Sequence, residues 1–238
     1  RPPLGLMNPG PRLMCVLRAP KEFSMPFPVL PDALARALAA QGYAEPTPVQ
    51  DAVLAAEAEG RDLLVSAQTG SGKTVAFGLA AGPTLLGGAE KFGYAAAPLA
   101  LVIAPTRELA IQVSTELTWL YKETGASVVS CVGGMDPRRE QRALSAGCHI
   151  VVGTPGRLKD HLERGNLDLG SLRVVVLDEA DEMLDMGFRE DLEEILDSAP
   201  AGRRTLMFSA TIAKEIAGLA RRYQTDALRI DTVTRNQA

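Results

Sequence analysis

Residues 65–74 read VSAQTGSGKT. An apolar run ends here in small residues, a turn carrying Gly70 and Gly72 follows, and Lys73 and Thr74 open a segment of helical character. A glycine-rich turn between a strand and a helix points successive backbone N–H groups at a phosphate chain, and the helix dipole adds favourable potential. The two glycines permit the tight turn, Lys73 is placed to pair with β- and γ-phosphates, and the Thr74 hydroxyl is placed to hold Mg²⁺. The phosphate-facing candidates are therefore Ala67, Gln68, Thr69, Gly70, Ser71, Gly72, Lys73 and Thr74. Ala67 departs from the usual pattern, which begins with glycine, so the generic motif is incompletely met. A flexible turn with a surface lysine is the plainer reading, and the order strand, turn, GKT and helix speaks against it.

Outward from this stretch, apolar runs alternate with helix-period segments. Helices are expected at about 31–41 and 47–58, and a strand at 62–66. Further strand-like runs are LALVIAP, SVVSCV, HIVVG, RVVVLD, RTLMFS and ALRIDT. Such near-continuous apolar strands, separated by helices, predict βαβ units: an α/β fold with a mostly parallel central sheet and helices on both faces. The stretch LLGGAEKFGYAAAP, rich in glycine and alanine, reads as a loop between a helix and the next strand. Open parallel sheets bind ligands at the carboxyl ends of their strands, so motifs placed there carry the functional weight.

One of these is VVVLDEADEMLDMGF, residues 174–188, where a strand passes abruptly into Asp178, Glu179, Ala180 and Asp181. A strand beside the phosphate loop that ends in acids would put Asp178 near a Mg²⁺ ion and Glu179 near an attacking water, as metal positioning and general-base roles require. Acids at a helix N-terminus also sit well on its dipole, but that does not account for the nearby lysine loop.

The bulk composition is that of an ordinary soluble globular protein of 238 residues. Its net charge of −4 carries no global basic signal, so a nucleic-acid contact would have to come from a local patch. Cys15, Cys131 and Cys148 lack CxxC spacing, and with only His149 and His161 beside them no structural zinc set is expected. No apolar run reaches the ~18 residues of a membrane span, and LMCVL is too short for a signal-peptide core, so a cytoplasmic, non-membrane protein is expected. Residues 1–22, of which the first twenty are rich in proline and glycine and without acids, read as an irregular tail with no assigned role.

Taken together the motifs resemble the DEAD-box family of ATP-dependent RNA helicases, in its first RecA-like domain. The resemblance runs from about Phe23 to the end and rests on the phosphate loop, the Asp178–Asp181 tetrad and five more stretches in order. These are GYAEPTPVQ (42–50), PTRELA (105–110), GG (133–134), TPGR (154–157) and SAT (209–211). It implies a RecA-like P-loop domain over residues 23–232, with ATP and Mg²⁺ as cofactors and RNA as partner. Lys73, Asp178, Glu179, Ser209 and Thr211 are its catalytic set, and Thr74 and Asp178, directly or through water, hold the metal.

By the same resemblance GYAEPTPVQ, with Tyr43, Pro48 and Gln50, recognises adenine. A glutamine amide can both donate and accept along one base edge, which fits that role. An upstream aromatic, Phe27 or Phe23, would stack on the base, with a core phenylalanine as the alternative for either. RNA contacts fall on Pro105, Thr106, Arg107, Gly133, Gly134, Thr154, Pro155, Gly156 and Arg157. Glycine N–H groups, a hydroxyl at a helix start and two arginines suit phosphates, and backbone contacts read no sequence. For Thr154 and Arg157 an ordinary helix cap and a surface charge remain open. Ser209 and Thr211 would hydrogen-bond to the tetrad's acids, Trp119 reads as core, and Arg138 with Arg139 as a solvated helix face.

The resemblance further implies a second RecA-like domain that completes both sites. Residues 233–238 would begin the linker to it, so the chain is expected to be a fragment or one half of a longer protein that binds ATP or ADP but hydrolyses ATP poorly. The alternatives are a related DNA-acting superfamily 2 ATPase and a nucleotide-dependent RNA-binding module without turnover.

Overall fold

The computed structural model describes residues 26–233. Phe23, the 1–22 tail and residues 234–238 of the expected linker lie outside them. Seven strands form one sheet: β1 (Leu63–Ser66), β2 (Ala100–Ile103), β3 (Val128–Cys131), β4 (Ile150–Gly153), β5 (Val174–Leu177), β6 (Arg204–Ser209) and β7 (Leu228–Asp231). Their order is β3-β4-β2-β5-β6-β1-β7, with every pairing parallel. The expected α/β fold with a parallel sheet is therefore what forms.

The strand sequences explain this. In β5, Val174 and Val176 point into one apolar cluster while Val175 and Leu177 point into the other, because successive side chains leave a strand on opposite faces. A strand covered on both faces has no polar side to display, so its sequence is uninterrupted valine and leucine. The edge strands obey the converse. Both β3 and β7 alternate between more and less buried residues.

One face is covered by α1 (Asp32–Ala40), α2 (Pro48–Leu54), α3 (Lys73–Leu86) and α4 (Arg107–Leu120). The other carries α5 (Pro137–Ser145), α6 (Pro155–Glu163), α7 (Ala180–Asp185), α8 (Arg189–Asp197) and α9 (Lys214–Tyr223). The helix expected over 47–58 is two pieces. Ala55 adopts an extended conformation, ending α2 at Leu54, and a short 3-10 turn at Ala56–Ala58 then carries Ala58 into the core. Trp119 is only partly buried: it packs on the first cluster and meets Tyr43 at 5.7 Å between ring centroids. Arg138 and Arg139 are exposed, as a solvated helix face requires.

Candidate active site

At the carboxyl end of β1 the chain passes through Ala67, whose backbone N–H donates to the Ser209 carbonyl at 3.0 Å and so extends the sheet by one residue. Ala67 is fully buried, its methyl part of the core, which accounts for the departure from glycine at this position. Gly72, in a left-handed conformation (φ 81°), starts α3 and puts Lys73 in its first turn. A side chain at Gly72 would lie 2.7 Å from the Gln50 amide nitrogen, so glycine is required by space as well as by conformation.

Gln50 is completely buried and its amide bonds on both sides, with one bond donated and one accepted. Its Oε1 accepts from the Thr47 backbone N–H at 2.9 Å, closing a capping box on α2, while its Nε2 donates to the Gly72 carbonyl at 3.1 Å. The candidate adenine-recognition glutamine therefore braces the phosphate loop directly. Of its companions, Pro48 is exposed at the start of α2, Tyr43 is exposed beside Trp119, and Phe27 is partly buried against the core.

Two strands away, β5 ends at Leu177 and Asp178 follows it, fully buried, its N–H donating to the Ile103 carbonyl at 2.9 Å. Glu179 then takes a left-handed conformation (φ 52°, ψ 53°), uncommon for a residue with a side chain, and caps α7. There the Glu179 carboxylate meets the phosphate loop. Its Oε1 accepts from the Thr69 hydroxyl at 3.3 Å and from Lys73 Nζ at 3.1 Å. Lys73 Nζ also stands 3.2 Å from Asp178 Oδ1, close enough for an ion pair, although neither Asp178 oxygen receives an aligned hydrogen bond. Burial pushes the Asp178 carboxyl up to about 6, against the opposing pull of Lys73. Lys73 and the adjacent acids Asp178 and Glu179, 106 residues from Lys73 to Glu179, thus form one compact charged cluster.

The SAT stretch closes the cluster, through an acid to which the sequence gives no separate role. Thr211 donates to Asp181 Oδ2 from both its N–H and its hydroxyl, each at 3.2 Å. Ser209 accepts from the Asp181 N–H at 3.3 Å and donates to the Thr211 carbonyl at 2.7 Å. The expected bond between these hydroxyls and the tetrad is formed with Asp181, and not with Asp178 or Glu179. Asp181 lies in the first turn of α7, where that helix passes the end of β6.

The candidate RNA residues gather at the carboxyl ends of β2, β3 and β4, next to this cluster. Thr106 caps α4 by accepting from the Leu109 N–H at 3.2 Å. Arg107 is exposed and lies across Gly134, where a side chain would collide with its Nη1. Thr154 starts α6 without a side-chain cap bond, so the ordinary-cap reading does not describe it. Nor is Arg157 a surface charge: it donates to the carbonyls of Val132 at 3.3 Å and Met135 at 2.9 Å and so holds the Gly133–Gly134 turn. Gly133, Gly134 and Gly156 are exposed, while Pro105 and Pro155 are buried and shape the turns from beneath.

Glu140 carries no sequence motif, yet it secures the same turn. It accepts from the Val132 N–H at 3.0 Å and faces Arg157 at 3.6 Å and His161 at 3.5 Å. Cys131 joins Glu140 and His161 in a buried group whose ligand-type atoms lie within 4.8 Å of one another, a combination the exclusion of cysteine–histidine zinc sets does not consider. The nearby Arg157 guanidinium already supplies the positive charge this carboxylate faces.

Two rows of groups therefore line one edge of the sheet: a lysine–carboxylate cluster on β1, β5 and β6, and glycine turns with two arginines on β2, β3 and β4. The family model described as DEAD/DEAH box helicase matches residues 47–219, which contain both rows. The chain belongs to this family. It is 46% identical over 194 residues to a Bacillus licheniformis protein named DEAD-box ATP-dependent RNA helicase CshA, covering 81% of this chain and 38% of that one. It is 45% identical to the Zea mays protein DEAD-box ATP-dependent RNA helicase 3B, chloroplastic, over 86% of this chain and 28% of that one. A crystal structure of a DEAD box protein from the hyperthermophile Methanococcus jannaschii superposes with a TM-score of 0.77 at 36% identity, covering 87% of this chain and 55% of that one. The chain spans well under half the length of these curated relatives. Among the described residues no helix is long and apolar enough to cross a membrane.

Proposed function

We propose that this chain is the ATP-binding half of an ATP-dependent RNA helicase, in which RNA-stimulated ATP hydrolysis drives local duplex opening. The observation that carries this reading is the position of Lys73 between Asp178 and Glu179, at 3.2 and 3.1 Å. An ammonium group held by two acids at a phosphate loop can exchange those partners for the β- and γ-phosphates of ATP. Asp178, a buried carboxylate whose one close partner is the Lys73 ammonium at 3.2 Å and which receives no aligned hydrogen bond, fits a divalent cation, with the Thr74 hydroxyl as a second ligand. Mg²⁺ bound there would neutralise charge on the phosphates. Glu179, released from Lys73, then accepts the proton of the attacking water as its oxygen joins the γ-phosphorus and ADP departs.

Arg107, the Gly133–Gly134 turn and the start of α6 serve RNA phosphates, without sequence reading. Asp181 with Ser209 and Thr211 ties the acid-bearing helix to β6, giving the two sites a shared mechanical element. A second RecA-like domain, beyond the residues of this chain, supplies the other half of each site. The test is RNA-stimulated ATPase activity of the longer protein with and without Lys73→Ala. Loss of turnover together with weaker ATP binding is expected, and unchanged activity would remove the phosphate-loop assignment.

A further inference from the structure

The opposite edge of the sheet has chemistry of its own. At the amino-terminal ends of β1, β5 and β6, an open cleft of about 690 Å³ is lined by Arg61, Arg173, Arg203 and Arg204, with Asp62 and Asp226 as its acids. What distinguishes these arginines is what they bind. Arg204, only 6% exposed, donates to the carbonyls of Arg61, Ala80 and Ala58 at 2.6, 2.6 and 3.0 Å. Arg173 donates to the Leu85 carbonyl at 2.8 Å, and Arg203 to those of Pro200 and Tyr223 at 3.1 and 3.5 Å.

Every one of these acceptors is neutral. Among the described residues Arg61 pairs with the exposed Asp226 at 3.5 Å, while Arg173, Arg203 and Arg204 have no carboxylate in ion-pair contact. Asp62 accepts from the backbone N–H groups of Thr205 at 2.8 Å and Thr225 at 2.7 Å; its charge and that of Glu59 act on Arg204 from a distance and leave Arg173 and Arg203 as the guanidiniums without a nearby counter-charge. The Nε groups of Arg61 and Arg203 are buried without a hydrogen-bond partner.

Backbone carbonyls fix the direction of a guanidinium but leave its charge intact. Folding has therefore already ordered these long side chains, and a ligand need not provide that ordering. Guanidinium forks match the oxygens of phosphate in pairs, and cavities of roughly 300–1,000 Å³ are the size that small ligands occupy. We propose that this cleft is a second anion site, which takes a small phosphate-bearing ligand of about the size of pyrophosphate or a nucleoside phosphate. It is separate from the site at the other ends of the same strands, and only the count of two binding events in its test rests on the phosphate-loop reading.

Pyrophosphate titrated calorimetrically into the 238-residue chain at about 0.15 M ionic strength, where loose surface attraction is largely screened, tests this. Two binding events are expected in the parent chain, and one should survive in Lys73→Ala. The double variant Arg173→Gln, Arg203→Gln should weaken the surviving event by about tenfold or more, the factor that losing one charge-assisted hydrogen bond carries. Arg173 is exposed and Arg203 partly so, which spares the core, and circular dichroism confirms folding. If Lys73→Ala does not fold, the double variant in the parent chain should lose one event of the two. A single event in the parent chain that the arginine changes leave untouched overturns the proposal. So does a short single-stranded RNA that displaces pyrophosphate from the cleft at lower concentration, since the site would then serve a polymer.

Discussion

At Glu179 one atom separates two roles. The carboxylate accepts from Lys73 and the Thr69 hydroxyl, and in the proposed turnover it takes a proton from water. Glu179→Gln keeps the shape and a hydrogen-bond acceptor but removes the base. We expect ATP binding to persist while hydrolysis slows by about 10²- to 10⁴-fold, the usual worth of a positioned base, in single-turnover assays of the longer protein. A loss of nucleotide affinity as severe as that of Lys73→Ala would give Glu179 a binding role instead. Asp178 permits a prediction of a different kind. With its folded-state carboxyl near 6 against an ordinary 3.8, the folded protein holds this proton more tightly than the unfolded chain does. The stability from this group is therefore greatest below pH 4 and declines as pH rises toward 6. Asp178→Asn should leave stability nearly unchanged at pH 4 and raise it at pH 7 by about 1–3 kcal/mol, while turnover is lost. Urea unfolding of parent and variant across that range measures it, and a variant less stable at pH 7 contradicts the burial argument.

At the scale of elements, β4 is where packing and site meet most tightly. A side chain on Gly153 would stand 2.6 Å from the Cys131 carbonyl of the neighbouring strand and 2.7 Å from two carbons of Leu158 on α6. One of the two obstacles is backbone and cannot rotate away. Gly153→Ala should cost about 1–3 kcal/mol, as overpacking does, and should also displace Thr154 and the turn it adjoins. An unchanged urea midpoint would show that β3 and β4 separate freely. The strands themselves were legible in the sequence because burial on both faces writes the same apolar run into each, as in Val174–Leu177. Their order was not, since β2 and β6 look alike until long-range pairing chooses their neighbours. The same division holds in the site. Lys73, Asp178 and Glu179 could be found by residue type and spacing. Glu140, Asp181 and the brace from Gln50 to Gly72 act through contacts between distant segments, and a local pattern records no such contact. Ala67 was legible as a departure and intelligible only once its methyl was seen in the core.

On the scale of the whole molecule, both rows of groups lie on one edge of a single sheet and open outward. On the proposed reading, Lys73, Asp178 and Glu179 would supply contacts for phosphate, metal and water from one side, and Arg107 and the glycine turns would face RNA from the same side. An enzyme that transfers a phosphoryl group must also stabilise charge developing on the γ-phosphate away from the loop, commonly with an arginine brought from elsewhere. Here Arg107 and Arg157 stand on the other row, with Arg157 already spent on the Val132 and Met135 carbonyls. A domain closing over this edge would complete the nucleotide site and the RNA site in one motion. ATP and RNA would then favour the same closed state, each strengthening the binding of the other by an equal factor. Hydrolysis removes one of the two and lets the cleft reopen. Residues 1–238 alone are accordingly expected to bind adenine nucleotide weakly, bind RNA barely, and hydrolyse ATP about 10³- to 10⁵-fold more slowly than the longer protein, the range an arginine brought in from a second body contributes. The comparison is RNA-stimulated ATPase activity of the two proteins side by side. Full stimulated activity in the shorter chain would mean that this edge is already a complete enzyme and that closure has no part in the chemistry.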